Sequence, residues 1–347
     1  MKKIFALVLC LIMVLPLVSC GKEEYTLGMG VVVSMDSSKT GTAQVDATVA
    51  AVVTDANGVI VACRIDVAQN KMNVTDGAVE LEKTFKTKME LGTEYGMAGK
   101  VDNDNDGVKL EWDAQAKAFE QHVVGMTANE VAAMRVQYLG GHWVTTDPDL
   151  LNAGCSMQIT DFVEAVVKAC DDRQAVSFKA NPKKMILGVA ANTSVDKDTK
   201  AATTEANGSV NMYTDFACAV TVKGKIVATL NDAIQPKITI NNAGEIVEKS
   251  YTNTKRELRY AYNMAKFGAN LDPNGDGKVL EWYEQSSAFS NYVMKNKMKA
   301  DQVANMPVAA NSIGYMMSTD SKLVSAGCTI QITGICDVVA KAARNAR

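Results

Sequence analysis

The chain has 347 residues, 39 Asp and Glu against 36 Lys and Arg, and only two histidines, His122 and His142. Its length argues for about two domains. Its slightly acidic balance excludes a basic nucleic-acid binder, and its 22% charged residues exclude wholesale disorder or a polytopic membrane protein. So few histidines leave little for a histidine-based metal centre, and a serine or cysteine hydrolase needs a histidine beside its nucleophile. There is also no GxGxxG and no phosphate-cradling P-loop.

At the amino terminus, Lys2 and Lys3 precede an apolar run, Ile4 to Val18, that is short for a membrane span and carries Pro16 near its end. It closes on Leu17-Val18-Ser19-Cys20-Gly21, which resembles the lipobox of bacterial lipoproteins. The resemblance implies a signal peptide over 1–19, a diacylglycerol on the Cys20 thiol, a short tether over 20–24, and a place on the extracytoplasmic face of the cell membrane. Several acyl chains hold a protein firmly at a bilayer. Loss of the two signal-peptide lysines takes the formal charge from −3 to −5. An acidic body beside an anionic surface depends on its anchor, and the sequence shows no polybasic patch to assist it. Of eight cysteines, Cys10 leaves with the signal and Cys20 is lipidated; the other six divide evenly between the halves and read as buried thiols.

An internal duplication organises the rest. Gly58–Asp66 matches Gly224–Asp232, and Thr87–Leu91 matches Thr254–Leu258. Tyr95 and Met97 match Tyr262 and Met264, Glu111–Phe119 matches Glu281–Phe289, and Ala153–Thr160 matches Ala326–Thr333. The blocks keep their order, which places one domain at 25–173, a polar linker at 174–183 and a second domain at 184–347. Within the first copy, Val49–Thr54 and Val59–Val67 read as strands joined at Asn57-Gly58, a hairpin signal. Glu111–Val124 has a helical period with Trp112, Ala116, Phe119 and Val123 on one face. Thr127 and Glu130 form a capping box for a short helix, and 161–169 and 336–343 read as closing helices. Strands first and helices later predict an α+β fold with a small antiparallel sheet in each copy.

The hairpin, the helical middle and the late Gly-Cys-Ser/Thr before a final helix resemble FMN-binding domains, the type found in flavin-carrying subunits of Rnf and Nqr complexes and in Gram-positive surface flavoproteins. In that family a Ser-Gly-Ala-Thr-like motif offers a hydroxyl that forms a phosphoester with FMN. The resemblance implies Ser156 and Thr329 as the hydroxyls, and Gly154 and Gly327 as the residues that let backbone approach phosphate. It further implies Trp112 and Trp282 as stacking partners for the isoalloxazine. The pattern departs in having alanine for the motif's first hydroxyl residue, cysteine for its alanine, and Asp149 and Asp320 further back than the family's acid. The expected function is extracytoplasmic electron transfer by bound FMN among redox partners of the cell envelope. The alternative is a non-enzymatic ligand-binding or envelope-interaction lipoprotein that retains the fold without flavin. Catalytic residues are not identified.

Asp102–Asp113 fits an EF-hand-like loop, with Asp102, Asp104 and Asp106 at positions one, three and five, Gly107 at six and Asp113 at twelve. The second copy keeps Asp272, Asn274, Asp276 and Gly277 but has Tyr283 at position twelve. Calcium is the implied ion, and an Asp/Asn/Gly turn that caps the following helix is the alternative.

Overall fold

The computed structural model describes residues 22–100, 102–103, 106–266, 279–311 and 314–347. The signal segment, Cys20, Asp104, Asp272, Asn274 and Asp276 lie outside the described residues. Three long strands, β1 (Glu23–Ser34), β2 (Thr42–Thr54) and β3 (Ile60–Thr75), form an antiparallel meander, extended by β4 (Ala78–Val79). Then come α1 (Lys88–Leu91) with a 3₁₀ turn, α2 (Trp112–His122), α3 (Ala128–Ala132), the hairpin β5 (Val136–Leu139) and β6 (His142–Thr145), α4 (Pro148–Asn152) and α5 (Thr160–Cys170). The segment expected as a linker contains a strand, β7 (Val176–Ala180), which pairs with β1 and completes the first sheet in the order β4-β3-β2-β1-β7. Its alternating Val176, Phe178 and Ala180 carry that strand, although polar residues around it suggested a spacer.

The second half repeats the element order. It runs through β8 (Met185–Val195), β9 (Gly208–Val222), β10 (Lys225–Ile234), β11 (Lys237–Ile240) and β12 (Ile246–Ser250). The helical part follows as α6 (Lys255–Leu258), α7 (Trp282–Lys295), α8 (Ala300–Ala304), β13 (Val308–Ala310), β14 (Met316–Ser318), α9 (Ser321–Ser325) and α10 (Thr333–Arg344). Where β3 runs unbroken for 16 residues, its counterpart stops at Ile234 and resumes at Lys237. Pro236 in the gap cannot donate to a ladder.

The two sheets pack face to face. Leu27, Met29, Val45, Val49 and Ala51 meet Leu187, Val189, Phe216, Val220 and Ile234 in one shared core. The opposite face of each sheet is covered by its own helices: Ala50, Val52 and Ile65 lie under Phe119, Phe162 and Val166, and Ala217 and Ala219 lie under Phe289, Val338 and Ala342. The architecture is therefore four layers, helix–sheet–sheet–helix. Strands buried on both faces read as near-continuous apolar runs, as β2 does. The closing helices sit unusually close to the sheets. A Cβ at Gly28 would lie 1.9 Å from the Ala169 carbonyl oxygen, and one at Gly188 would lie 2.0 Å from that of Ala342. Only glycine allows that approach.

The Asn57-Gly58 hairpin forms, but as the longer loop Asp55–Val59, in which Gly58 takes positive φ and the Asp55 carboxylate accepts the Asn57 and Val59 amides. The expected helices and the Thr127–Glu130 capping box are present. The described cysteines carry thiols, all buried except the half-buried Cys170.

Candidate functional site

The shared Glu-Trp-x-x-Gln block at the start of α2 and α7 is a three-way clamp. Glu111 accepts the Met97 and Ala98 amides at 2.7 and 3.0 Å, and Glu281 accepts those of Met264 and Ala265 at 2.9 and 3.2 Å. Each glutamate thus ties down the Tyr-x-Met segment after α1 or α6. Gln115 and Gln285 are fully buried. The Gln115 side-chain oxygen accepts the Ser156 and Met157 amides, both at 3.0 Å, while its NH₂ donates to the Leu110 carbonyl. Gln285 does the same with the Thr329 amide at 2.8 Å and the Leu280 carbonyl, and its oxygen also accepts the Thr329 hydroxyl at 3.1 Å. The Trp between them is core: Trp112 packs edge-on to Phe162 at 5.9 Å, and both Trp112 and Trp282 are buried.

This geometry buries the hydroxyls that the resemblance implies for a phosphoester. Ser156 and Thr329 are only 2% and 6% exposed. Gly154 and Gly327 do take positive φ, but a Cβ there would meet Leu110 and Leu280 side chains, so the turn packs on apolar residues. The two cavities described are elsewhere. One, of about 430 Å³, lies between Leu81–Phe85 and Asn192–Val195, and the other, of about 340 Å³, lies between the end of α5 and α6. Neither cavity is lined by the clamp residues or by the Gly-Cys-Ser/Thr turns.

In the aspartate-rich loop, Asp102, Asp106 and Asp113 each accept a nearby backbone amide, from Gly107, Val108 and Ala114. No group of three His, Cys, Asp or Glu converges to hold a metal among the described residues.

The most unusual chemistry lies where α6 meets β9 and β10. Lys255 is buried, with its Nζ 4.7, 4.9 and 5.3 Å from the ring centres of Tyr213, Tyr262 and Trp282, and it donates to the Tyr213 hydroxyl at 3.1 Å. Burial pushes Lys255 down to about 8 and Asp215 up to about 6, each offset in part by the other's charge. In the first half, Lys88 lies 4.9 and 5.6 Å from Tyr95 and Trp112. Its carboxylate comes from a different element. Strand register places Thr48 where Asp215 stands, and the second residue of the closing helix is Asp161 in one copy and Gly334 in the other. A Cβ on Gly334 would lie 2.5 Å from the Asp215 carboxylate. Each copy thus places one acid at this spot, once from the helix and once from the strand. Beneath α1 and α6, Asp66 and Asp232 accept the Met89 and Arg256 amides, and burial raises both to about 6.

No family model, curated protein or solved structure matches the chain. Lys88, Lys255, Asp66 and Asp232 were visible in the sequence only as members of matching blocks. The burial of Lys255, Asp66 and Asp232, and the place of both lysines beside aromatic rings, are properties of the packing.

Proposed function

We propose that the chain is a membrane-anchored extracytoplasmic lipoprotein whose two modules act as a non-enzymatic binding or envelope-interaction unit, without flavin. The observation that carries this reading is the twin glutamine clamp. In both copies the hydroxyl that would take a phosphoester is buried, and the tryptophan that would stack on a flavin fills a core position. A surface suited to interaction is the β5–β6 hairpin, where Tyr138 and Trp143 are 62% and 47% exposed and their rings lie 5.2 Å apart. Solvent-exposed aromatic pairs of this kind mark contact sites.

The flavin reading has one observation on its side: the Ser156 hydroxyl is buried without a hydrogen-bond partner among the described residues. In that reading FMN on Ser156, with or without Thr329, serves electron transfer. The visible spectrum and intact mass of protein made alongside a flavin transferase separate the two. A colourless protein of unmodified mass is expected; a yellow protein whose adduct disappears in Ser156→Ala plus Thr329→Ala overturns the proposal. Calorimetry with millimolar calcium tests the loop at Asp102, Asp106 and Asp113. Because Trp112 and Trp282 are buried, fluorescence on adding envelope fragments should report Trp143, and no change there removes this hairpin as the contact.

A further inference from the structure

We infer that the end of the sandwich that carries the start of β1 is a basic face that lies on anionic phospholipid headgroups. This rests on the anchored reading above and adds an orientation to it. β1 begins at Glu23, opposite Ala180 at the end of β7, and the turn Asn181–Lys184 leads directly into β8. The start of β8 pairs with the end of β9, so the β9–β10 turn lies at the same end. The Ile226 amide at the start of β10 donates to the Met298 carbonyl, which brings the loop after α7 there too. Lys183, Lys184, Lys223, Lys225, Lys297 and Lys299 thereby gather on one face, all exposed. No ion pair engages these six among the described residues. Lys22 and Lys179 adjoin them; nearby acids include the exposed Glu23 and Glu24 and the half-buried Asp55, while Asp301 is paired with Arg344.

Two observations set this face apart from a chance gathering of lysines. The first half makes the same contact, Ile60 amide to Met126 carbonyl, yet its equivalent positions are Asn57, Val59, Gly125 and Thr127. Moreover, Lys223 and Lys297 adopt φ of 52° and 48°, in the left-handed region, where Gly125 takes 92°. Lysine stands there against the backbone preference. In addition, only three residue steps separate Cys20 from Glu23, a reach of at most about 10 Å. That reach matches the screening length of charges near 0.1 M salt, about 10 Å. A bilayer holding Cys20 meets this end of the body, and clustered lysines within a screening length of anionic lipid attract it.

The test uses the mature chain with Cys20→Ser, so that no acyl chain contributes, and sedimentation with phosphatidylcholine vesicles with or without phosphatidylglycerol. Binding that requires phosphatidylglycerol and weakens with added salt is expected. Joint Lys183→Glu, Lys184→Glu, Lys223→Glu and Lys225→Glu should lower affinity about tenfold or more, with an unchanged circular dichroism spectrum. Lys39→Glu with Lys200→Glu, on loops at the opposite end, should not lower it. Equal binding to both vesicles, equal loss from the distal pair, or binding to polyphosphate but not to vesicles overturns the inference. The mass of wild-type Cys20 separates the two readings. An unlipidated wild-type cysteine with retained phosphatidylglycerol binding sinks the anchor alone; a lipidated one without that binding sinks the face alone.

Discussion

The Lys341 ammonium on α10 sits 2.7 Å from the Glu90 carboxylate on α1, so the closing helix of the second half is tied to the first half. The same link recurs in reverse, with Lys168 on α5 lying 3.5 Å from Glu257 on α6. The two halves are thus cross-braced at related places, on either side of the shared sheet–sheet core. A third link is buried: Arg256 donates to both Asp172 oxygens, at 3.2 and 3.1 Å, and to the Gln174 carbonyl.

These links are unequal in energy. Glu90→Gln should cost no more than about 1 kcal/mol, because that pair is partly solvated. Arg256→Ala should cost about 3 kcal/mol, because it removes the cation from a largely covered Asp172 carboxylate that keeps only the Met29 and Gln174 amides. Urea unfolding measures both, and both halves should unfold in one transition because they share a core. Two separated transitions would contradict the shared core as a cooperative unit.

The exchanged carboxylate predicts strong non-additivity. Gly334→Asp alone brings a second acid against Asp215, and Asp215→Thr alone leaves Lys255 buried without it. Each should cost several kcal/mol. The double variant copies the first half's arrangement of Thr48 with Asp161 and should recover most of that loss. Additive losses would show that the two positions are not partners.

Gln115→Ala removes the acceptor of two buried amides as well as the donor to Leu110, and should destabilise by about 2–4 kcal/mol. Gln115→Glu keeps the acceptor but buries a charge, so it should not restore wild-type stability at neutral pH. Thermal unfolding of the pair distinguishes a hydrogen-bonding role from simple space filling.

Asp66 sets a pH dependence. Burial holds its folded carboxyl at about 6, above an ordinary value of 3.8. Its favourable contribution is therefore complete below the unfolded value and is lost as pH rises through the folded one. Stability should fall by about 3 kcal/mol between pH 4 and about 6.5 on this account, and Asp232 adds a similar step. Asp66→Asn should flatten one step in unfolding free energies across that range. An unchanged slope would mean that Asp66 does not titrate there.

Much of the local architecture was legible. Thr127 stands three residues before Glu130, so that helix start was legible as a capping box, and the structure adds the same box at Thr87 and Thr254. The apolar period of α2 reads directly as the face on which Trp112 and Phe119 are buried. Strand β7 was hidden because Ser177 and Lys179 dilute a five-residue run whose pairing partner lies some 150 positions earlier. The burial of the Ser156 and Thr329 hydroxyls was hidden for a similar reason. Their exposure depends on Gln115 and Gln285, about 40 residues upstream, which capture the turn from within.

The sequence by itself determined the duplicated α+β modules, because helical and strand periods, caps and matching blocks are short-range patterns that burial preserves. Only the tertiary structure decided what the charged residues do. Asp215 and Asp161 occupy one spot from different elements because a helix packs on a sheet there. Lysines scattered from Lys22 to Lys299, none in a contiguous basic run, share one face because antiparallel strands return their turns to the same end. Charge in this acidic chain is therefore organised by topology, since strand pairing sets which distant turns become neighbours.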